Sequence, residues 1–256
     1  MSNQSTIEWS AWAASAPGRY VLAWEQAQLD RLVSDIFGYY ALQLGLPQLD
    51  ALRENRMPSR AVVLNAESDL KMLAAFAEYS CIRCDLPELP FASQSVDLLI
   101  LPHTLELTCE PHRLLREVER VLLPEGQLVI FGFNTLSLWG ARQALKGLTK
   151  RSFVPAHRKL IAFSRLKDWL KLLGFELNRG RFGCYQPPFM NEQWLTRFAC
   201  VEKAGDRWWP IFGAVYMITA IKRVRGVRLV GAAPRSSAAL APALPPVATP
   251  QTQRRK

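Results

Sequence analysis

Polar side chains that can do chemistry follow two apolar stretches of the sequence. His103 and Glu106 come after the apolar run at 96–101, and Asp85 closes a strand-like stretch at 80–85. An imidazole can orient a substrate, and a carboxylate can accept hydrogen bonds from a ligand. Parallel strands gather their carboxyl ends at one edge of a sheet, so we expect these residues to face a ligand crevice.

The elements that must position these residues alternate between strand and helix. Short apolar runs predict buried strands, and apolar stripes at helical spacing predict the helices between them. The predicted strands are 61–64, 80–85, 96–101, 127–133, 175–184 and 211–222, and the predicted helices include 70–79, 111–122 and 164–173. This alternation predicts an α/β fold with an open, Rossmann-like, mostly parallel sheet.

The two ends of the chain differ from its middle. Residues 18–44 place apolar side chains on one helical face and stop at Gly45, which predicts a helical N-terminal cap. From Gly231 onward the chain is rich in Ala, Pro and Ser and has no periodicity, which is typical of disorder. We expect three regions: a helical N-terminal segment at 1–58, an α/β domain at 59–228 with a basic insert around 134–163, and a disordered tail at 229–256.

The basic charge of the chain is local. The net charge is +10, yet residues 222–256 carry eight Lys or Arg with no acid, and residues 136–183 carry eleven against two acids. Local basicity indicates an anionic partner for one face. The longest apolar stretch, 208–221, is too short to span a bilayer, and the first residues lack a signal-peptide pattern. We therefore expect a soluble, cytoplasmic protein with no transmembrane segment.

The motifs between Asp85 and Phe131 resemble the class I S-adenosylmethionine-dependent methyltransferases, in particular the methyltransferase type 11 group. The matching pieces are D-L-P-E-L-P-F at 85–91, S-V-D at 95–97, H-T-L-E at 103–106, L-R-E-V at 115–118 and R-V-L at 120–122, followed by Gly126. The resemblance implies the class I methyltransferase fold, S-adenosylmethionine as the cofactor and methyl transfer as the reaction.

The resemblance also implies roles for single residues. In the family, the acid at the position of Asp85 accepts from the adenine amino group, and the next backbone N–H, here that of Leu86, binds a ring nitrogen. Asp85 is also suited to forming a turn beside Pro87, although the cofactor role is the favoured one. His103 either lines the sulfonium pocket, orients a substrate or is only hydrogen-bonded locally. No catalytic residue is assigned, because methyl transfer needs mainly in-line placement of the acceptor.

The sequence departs from the family after the first strand, which we assign to 61–64. The family has a glycine-rich turn there, whereas this chain reads N-A-E-S at 65–68. Asn65 tolerates the left-handed backbone that glycine supplies. Glu67 is either a substitute for the ribose-binding acid or a residue at a helix start. The expected cofactor-binding residues are Asn65, Glu67, Asp85, Leu86 and His103, and no metal site is expected.

Three functions remain open from the sequence. The first is methyl transfer to an unidentified small molecule or anionic macromolecule. The second is a degenerate methyltransferase fold without catalysis that serves as a binding or regulatory module, which the glycine-free turn favours. Nucleic-acid binding is the third, disfavoured because no recognised motif is present. The basic amphipathic segment at 139–151 is either a helix over the active-site mouth or a clamp for an anionic substrate or a lipid-like surface, so peripheral membrane contact stays open.

Overall fold

A computed structural model describes residues 9–65, 78–145, 153–155, 160–188 and 198–223. All of them belong to one compact unit. Glu67, much of the basic segment at 139–151 and the predicted disordered tail lie outside the described residues. Within the described residues, no helix combines the length and apolar character needed to cross a bilayer.

The described elements alternate largely as the sequence predicted, and the predicted helix at 70–79 lies almost entirely outside the described residues. The strands are β1 Tyr40–Leu44, β2 Ser59–Asn65, β3 Ser80–Cys84, β4 Val96–Pro102, β5 Leu122–Phe133, β6 Phe175–Gly183 and β7 Val215–Lys222. The helices are α1 Ala16–Val33, α2 Thr104–Leu107, α3 Pro111–Val121, α4 Leu138–Ala144, α5 Phe163–Leu172 and α6 Ala199–Trp208, with a 3₁₀ turn at Pro210–Phe212. Residues 9–13 form a further helical turn.

The strands form one seven-stranded sheet in the order β3-β2-β1-β4-β5-β7-β6. The pairs from β3 to β5 are parallel, and β7 lies antiparallel between β5 and β6. The predicted Rossmann-like, mostly parallel sheet is therefore confirmed. The carboxyl ends of β1 to β5 meet at one edge, where the start of β7 joins them because Phe133 pairs with Val215.

Alternate residues of each strand supply two apolar cores, because successive side chains of a strand point to opposite faces. On one face, Leu98 and Ile100 of β4 pack with residues of α1. On the other face, Leu99 and Leu101 pack with residues of α3 and α5. The sheet is thus covered on both sides, as parallel sheets require.

The prediction that residues 18–44 form one helix is wrong at its end. Helix α1 ends at Val33, and residues 40–44 form β1, the strand at the centre of the parallel part of the sheet. The apolar stripe holds only to the end of α1, and Gly38 then precedes two β-prone tyrosines. The predicted helical segment at 1–58 therefore contains a strand, and residues 61–64 belong to the second strand.

Candidate cofactor site

The turn after β1 begins with a glycine that the sequence assignment overlooked. Gly45 has φ +75° and Leu46 has φ +43°, so two successive residues adopt the left-handed conformation that favours glycine. The expected glycine-free turn after the first strand is therefore wrong, because the first strand is β1 and its turn starts with Gly45. The sequence N-A-E-S at 65–68 instead follows the second strand.

One buried side chain fixes the shape of this turn. The Gln43 amide nitrogen lies 3.2, 3.1 and 2.7 Å from the carbonyl oxygens of Gly45, Leu46 and Leu49. Its amide oxygen accepts from the backbone N–H of Ala51 at 2.9 Å. Gln43 is fully buried, so these contacts satisfy polar groups that water cannot reach.

The acidic turn predicted after β3 is present. Asp85 directly follows the last residue of the strand, and its carbonyl accepts from the N–H of Glu88 at 2.9 Å. The Asp85 side chain is exposed, and among the described residues its carboxylate has no hydrogen-bond partner. The side chain of Leu86 is buried. The turn thus anchors itself through Leu86 and presents an exposed carboxylate, whose charge also acts on the Arg113 guanidinium.

Two residues of α3 hold this turn against the sheet. The Arg120 guanidinium donates to the carbonyl oxygens of Leu89 at 3.0 Å and Phe91 at 2.9 Å. The Glu117 carboxylate pairs with Arg120 at 2.9 Å and accepts from the N–H of Leu89 at 3.3 Å. The L-R-E-V and R-V-L motifs therefore brace the segment that carries Asp85, a role the sequence alone did not reveal.

Asn65 lies beside the acidic turn. It is the last residue of β2 and pairs in register with Cys84, the residue before Asp85. Adjacent strands are about 4.8 Å apart, which brings the ends of β2 and β3 within reach of one ligand. Among the described residues the Asn65 side chain makes no hydrogen bond. The remaining predicted residue of this strand end, Glu67, is outside the described range.

His103, at the end of β4, is fully buried between two carboxylates. Its Nε2 lies 2.6 Å from Glu25 Oε1 on α1, and its Nδ1 lies 2.9 Å from Glu106 Oε2. Glu106 Oε1 also accepts from the backbone N–H of Phe133 at 2.6 Å. His103 has φ +52°, a conformation that is uncommon outside glycine. The cluster joins α1 to the ends of β4 and β5.

The charge state of His103 follows from this geometry. A neutral imidazole has only one N–H, whereas both ring nitrogens of His103 face carboxylate oxygens. Burial alone would lower the pKa of His103, but Glu25 and Glu106 outweigh burial and raise that pKa to about 10. Burial also raises the pKa of Glu106, and its hydrogen bond to His103 opposes that rise. We assign His103 as an imidazolium at neutral pH.

Aromatic rings from the start of the chain cover this cluster. The ring centroid of Trp9 lies 5.2 Å from that of His103 and 6.2 Å from that of Phe133, and the Trp12 ring stands edge-on to Trp9 at 5.0 Å. The indole nitrogens of Trp9 and Trp12 and Oε2 of Glu25 are buried without a partner in the described part of the chain. The His103 ring is therefore enclosed by protein groups and has no contact with solvent.

These features test how far the residues fit S-adenosylmethionine. The ends of β3 and β2 fit it, because an unpartnered carboxylate at Asp85 and an unpartnered amide at Asn65 suit an adenine amino group and ribose hydroxyls. The turn at Gly45 fits a close approach of backbone to ligand. The predicted contact from His103 does not fit the described arrangement, because both ring nitrogens are occupied and the ring is buried.

Solved structures share this fold. The match to an S-adenosylmethionine-dependent methyltransferase from Thermotoga maritima has a TM-score of 0.60 with 16% identity, covering 86% of this chain and 97% of that one. A complex of the Haloferax volcanii Trm112 methyltransferase activator with a methyltransferase matches with a TM-score of 0.59 and 14% identity, covering 86% of this chain and 98% of that one. At these identities the likeness concerns the fold.

Sequence relatives give the family. The family model for a methyltransferase domain matches residues 49–130. The uncharacterized protein YafS of Escherichia coli (strain K12) is 33% identical over 180 residues, which are 70% of each protein. The chain belongs to the class I methyltransferase type 11 family. In this chain the family match begins after β1, so the turn at Gly45 lies outside the matched residues.

Sequence reasoning missed several residues of this candidate site. Gln43 and Gly45 were missed because β1 was assigned to a helix. A strand signal was present, since the stretch Y-Y-A-L-Q-L-G joins β-prone residues to a glycine stop. Glu25 and Trp9 had no signal that could have found them. Glu25 is 78 residues from His103 along the chain, and only the fold joins them.

Proposed function

We propose that the protein is an S-adenosylmethionine-dependent methyltransferase whose cofactor lies along the carboxyl edge of β3, β2, β1 and β4. Beyond the family and the fold, one structural observation supports the proposal. The carboxylate of Asp85 is exposed and unpartnered among the described residues, on a turn braced by Arg120 at the end of β3. An Asp that only shapes a turn commonly accepts hydrogen bonds from nearby backbone N–H groups.

The proposed placement assigns each strand end a part of the cofactor. Asp85 accepts from the adenine amino group, and the N–H of Leu86 donates to an adenine ring nitrogen. Asn65 and Glu67 hold the ribose hydroxyls at the end of β2, and the turn at Gly45 lets the backbone approach the amino-acid end. The bound cofactor supplies a methyl group on a sulfonium that is primed to leave, so the protein needs mainly to orient the acceptor.

In this proposal His103 is a positioning residue. Its imidazolium ties α1 to the end of β4 and, through Glu106, to the end of β5. These strand ends flank the place where the methyl group is delivered. The acceptor is an anionic small molecule or macromolecule, a class favoured by the eleven Lys and Arg between residues 136 and 183.

A second candidate function is a methyltransferase fold that binds a partner without catalysis. The observation that favours it is the packing of Trp9 and Trp12 over His103 at the end of β4. If this packing persists with every ligand, the methyl acceptor has no access at this edge. The two candidates differ in whether the chain binds S-adenosylmethionine.

Calorimetric titration with S-adenosylmethionine and S-adenosylhomocysteine tests the proposal. The wild-type protein should bind both. Asp85→Ala should weaken binding about ten- to a hundred-fold, because a hydrogen bond to a charged acceptor is worth roughly 1.5–3 kcal/mol. Asp85→Asn should weaken binding less, since its amide oxygen still accepts. Both variants should melt within a few degrees of the wild type, because Asp85 is exposed.

Glu88→Ala is the matched control, since Glu88 is an exposed acid on the same turn and has no assigned contact with the cofactor. It should bind as the wild type does. Absence of binding by wild-type protein at millimolar cofactor would favour the binding module over the enzyme. Binding that is equal in wild type and Asp85→Ala would show that the adenine lies elsewhere.

A further inference from the structure

Seven large apolar side chains are exposed on two segments that follow β5 and precede β7. Their exposed fractions range from 53% to 70%, and they make up seven of the eleven exposed large apolar residues among the described residues. We call them the apolar face: Leu136, Leu138, Leu145, Trp208, Trp209, Ile211 and Phe212. Clusters of this kind on a soluble protein mark interaction sites.

A buried asparagine holds the two segments of the apolar face side by side. The Asn134 amide nitrogen donates to the carbonyl oxygens of Ile211 at 2.6 Å and Gly213 at 2.9 Å. Its amide oxygen accepts from the N–H of Leu136 at 3.0 Å, and its own N–H donates to Ala214 at 2.8 Å. Asn134 therefore holds the chain at Leu136 beside the chain at Ile211 to Ala214.

The apolar face lies at the same edge of the sheet as the proposed cofactor site. Asn134 directly follows β5, and Ala214 directly precedes β7, so both segments extend from the carboxyl edge of the parallel strands. Strand β5 is the neighbour of β4, which carries His103 after its last residue. A surface that binds the apolar face would therefore lie next to that edge.

Exposed cations lie on both segments of the apolar face. Arg142 is exposed on α4 between Leu138 and Leu145, and Arg207 is exposed beside Trp208. Two acids lie on α6: Asp206 is 3.9 Å from Arg181, and Glu202 accepts from the backbone N–H groups of Cys184 and Tyr185. The sequence that includes the first segment is also basic, since residues 126–167 contain eight Lys or Arg and no Asp or Glu.

We propose that the apolar face docks the protein on the surface of an anionic lipid bilayer. Tryptophan prefers the interface between lipid and water, and aliphatic side chains such as Leu138 and Ile211 gain by entering the acyl region. The exposed guanidinium groups of Arg142 and Arg207 beside these apolar residues are attracted to anionic headgroups. A second copy of the chain is a poorer occupant, because it would bring two basic surfaces together.

Vesicle flotation with the full-length protein tests this proposal. We compare phosphatidylcholine vesicles with vesicles that also contain phosphatidylglycerol, and no cofactor is added, so the outcome is independent of methyl transfer. The wild type should float with the anionic vesicles and much less with neutral ones. Raised salt should weaken binding without abolishing it, since salt screens the charges and leaves the apolar contact.

The variant Trp208→Ser/Trp209→Ser isolates the apolar contribution. It keeps every charge, including those of the C-terminal tail, and should bind anionic vesicles at least about tenfold more weakly, because burying one large apolar side chain is worth about 1.5–3 kcal/mol. Leu172→Ser is the control. Leu172 is 85% exposed at the end of α5, and the strand that follows starts at the opposite edge of the sheet. It should bind as the wild type does.

Two outcomes overturn the proposal. The first is equal flotation of the wild type and the double variant, which would assign vesicle binding to charge alone. The second is absence of flotation with either vesicle. If sedimentation then shows a wild-type dimer and a monomeric double variant, the apolar face is a contact between copies of the chain. Near-ultraviolet circular dichroism of each variant verifies that the fold is intact.

Discussion

The imidazolium at His103 predicts that the protein loses stability as the pH rises from 7 to 9. In the unfolded chain this histidine releases its proton near its ordinary pKa of 6.5, whereas the folded protein keeps the proton up to about pH 10. A group whose pKa is raised by folding stabilises the native state fully below the unfolded value. That stability is lost as the pH rises toward the folded value.

The expected loss follows from the size of the shift. Between the two pKa values the native state holds one more proton than the unfolded state, so the free energy of unfolding falls by about 1.4 kcal/mol per pH unit. The unfolded chain is still partly protonated near pH 7 and the folded protein begins to release its proton near pH 9, so the total loss between pH 7 and 9 is about 2.5 kcal/mol. Burial also raises the pKa of Cys81, Cys84 and Cys184 from an ordinary value of 9.0. These thiols add a smaller loss of stability that begins as the pH approaches 9 and that the histidine variants share with the wild type.

Urea unfolding at several pH values measures this loss. His103→Gln should be less stable at pH 7, because two buried carboxylates lose their cation, and its stability should change little from pH 7 to 9. His112→Gln removes an exposed histidine of α3 and should keep the wild-type slope. A wild-type stability that is constant from pH 7 to 9, or an equal decline in His103→Gln, would refute the assignment of the imidazolium.

Two further predictions concern the turns that frame the cofactor edge. Gln43→Leu should lower the free energy of unfolding by about 3 kcal/mol, because it leaves several buried backbone groups without partners. Urea unfolding measures this change, and a loss below about 1 kcal/mol would contradict the prediction. Arg120→Ala should weaken cofactor binding several-fold in calorimetry, because it releases the acidic turn. Arg116 is exposed on the same helix, so the control variant Arg116→Ala should bind the cofactor as the wild type does. Equal affinities would show that the turn keeps its shape without Arg120.

Local patterns were sufficient for most of the sheet. The run at 96–101 predicted β4 because a strand buried on both faces needs apolar residues at nearly every position. Strand β1 was missed because it is a run of only five residues that follows α1 closely, and a short apolar run is ambiguous between helix and strand. That one error moved the first strand to 61–64 and hid the glycine at 45.

The candidate site was predictable only where it depends on neighbours in the chain. Asp85 and Leu86 follow β3 directly, so a motif was enough to place them. The surroundings of His103 were not predictable, because they combine residues from the start of the chain with residues 78 or more positions later. Long-range contacts of this kind leave no local pattern in a single sequence.

The bonds of Gln43 have a consequence for the thermodynamics of ligand binding. A loop made mobile by several glycines must become ordered when a ligand arrives, at a cost of about 1–2 kcal/mol for each residue fixed. In this protein the turn from Gly45 to Leu49 is ordered by the strand that precedes it, so the entropy is lost during folding. A ligand at this turn then meets a preorganised surface and binds with a smaller entropic penalty. The Gln43 amide therefore contributes both to the thermal stability of the protein and to the affinity for a ligand at this turn.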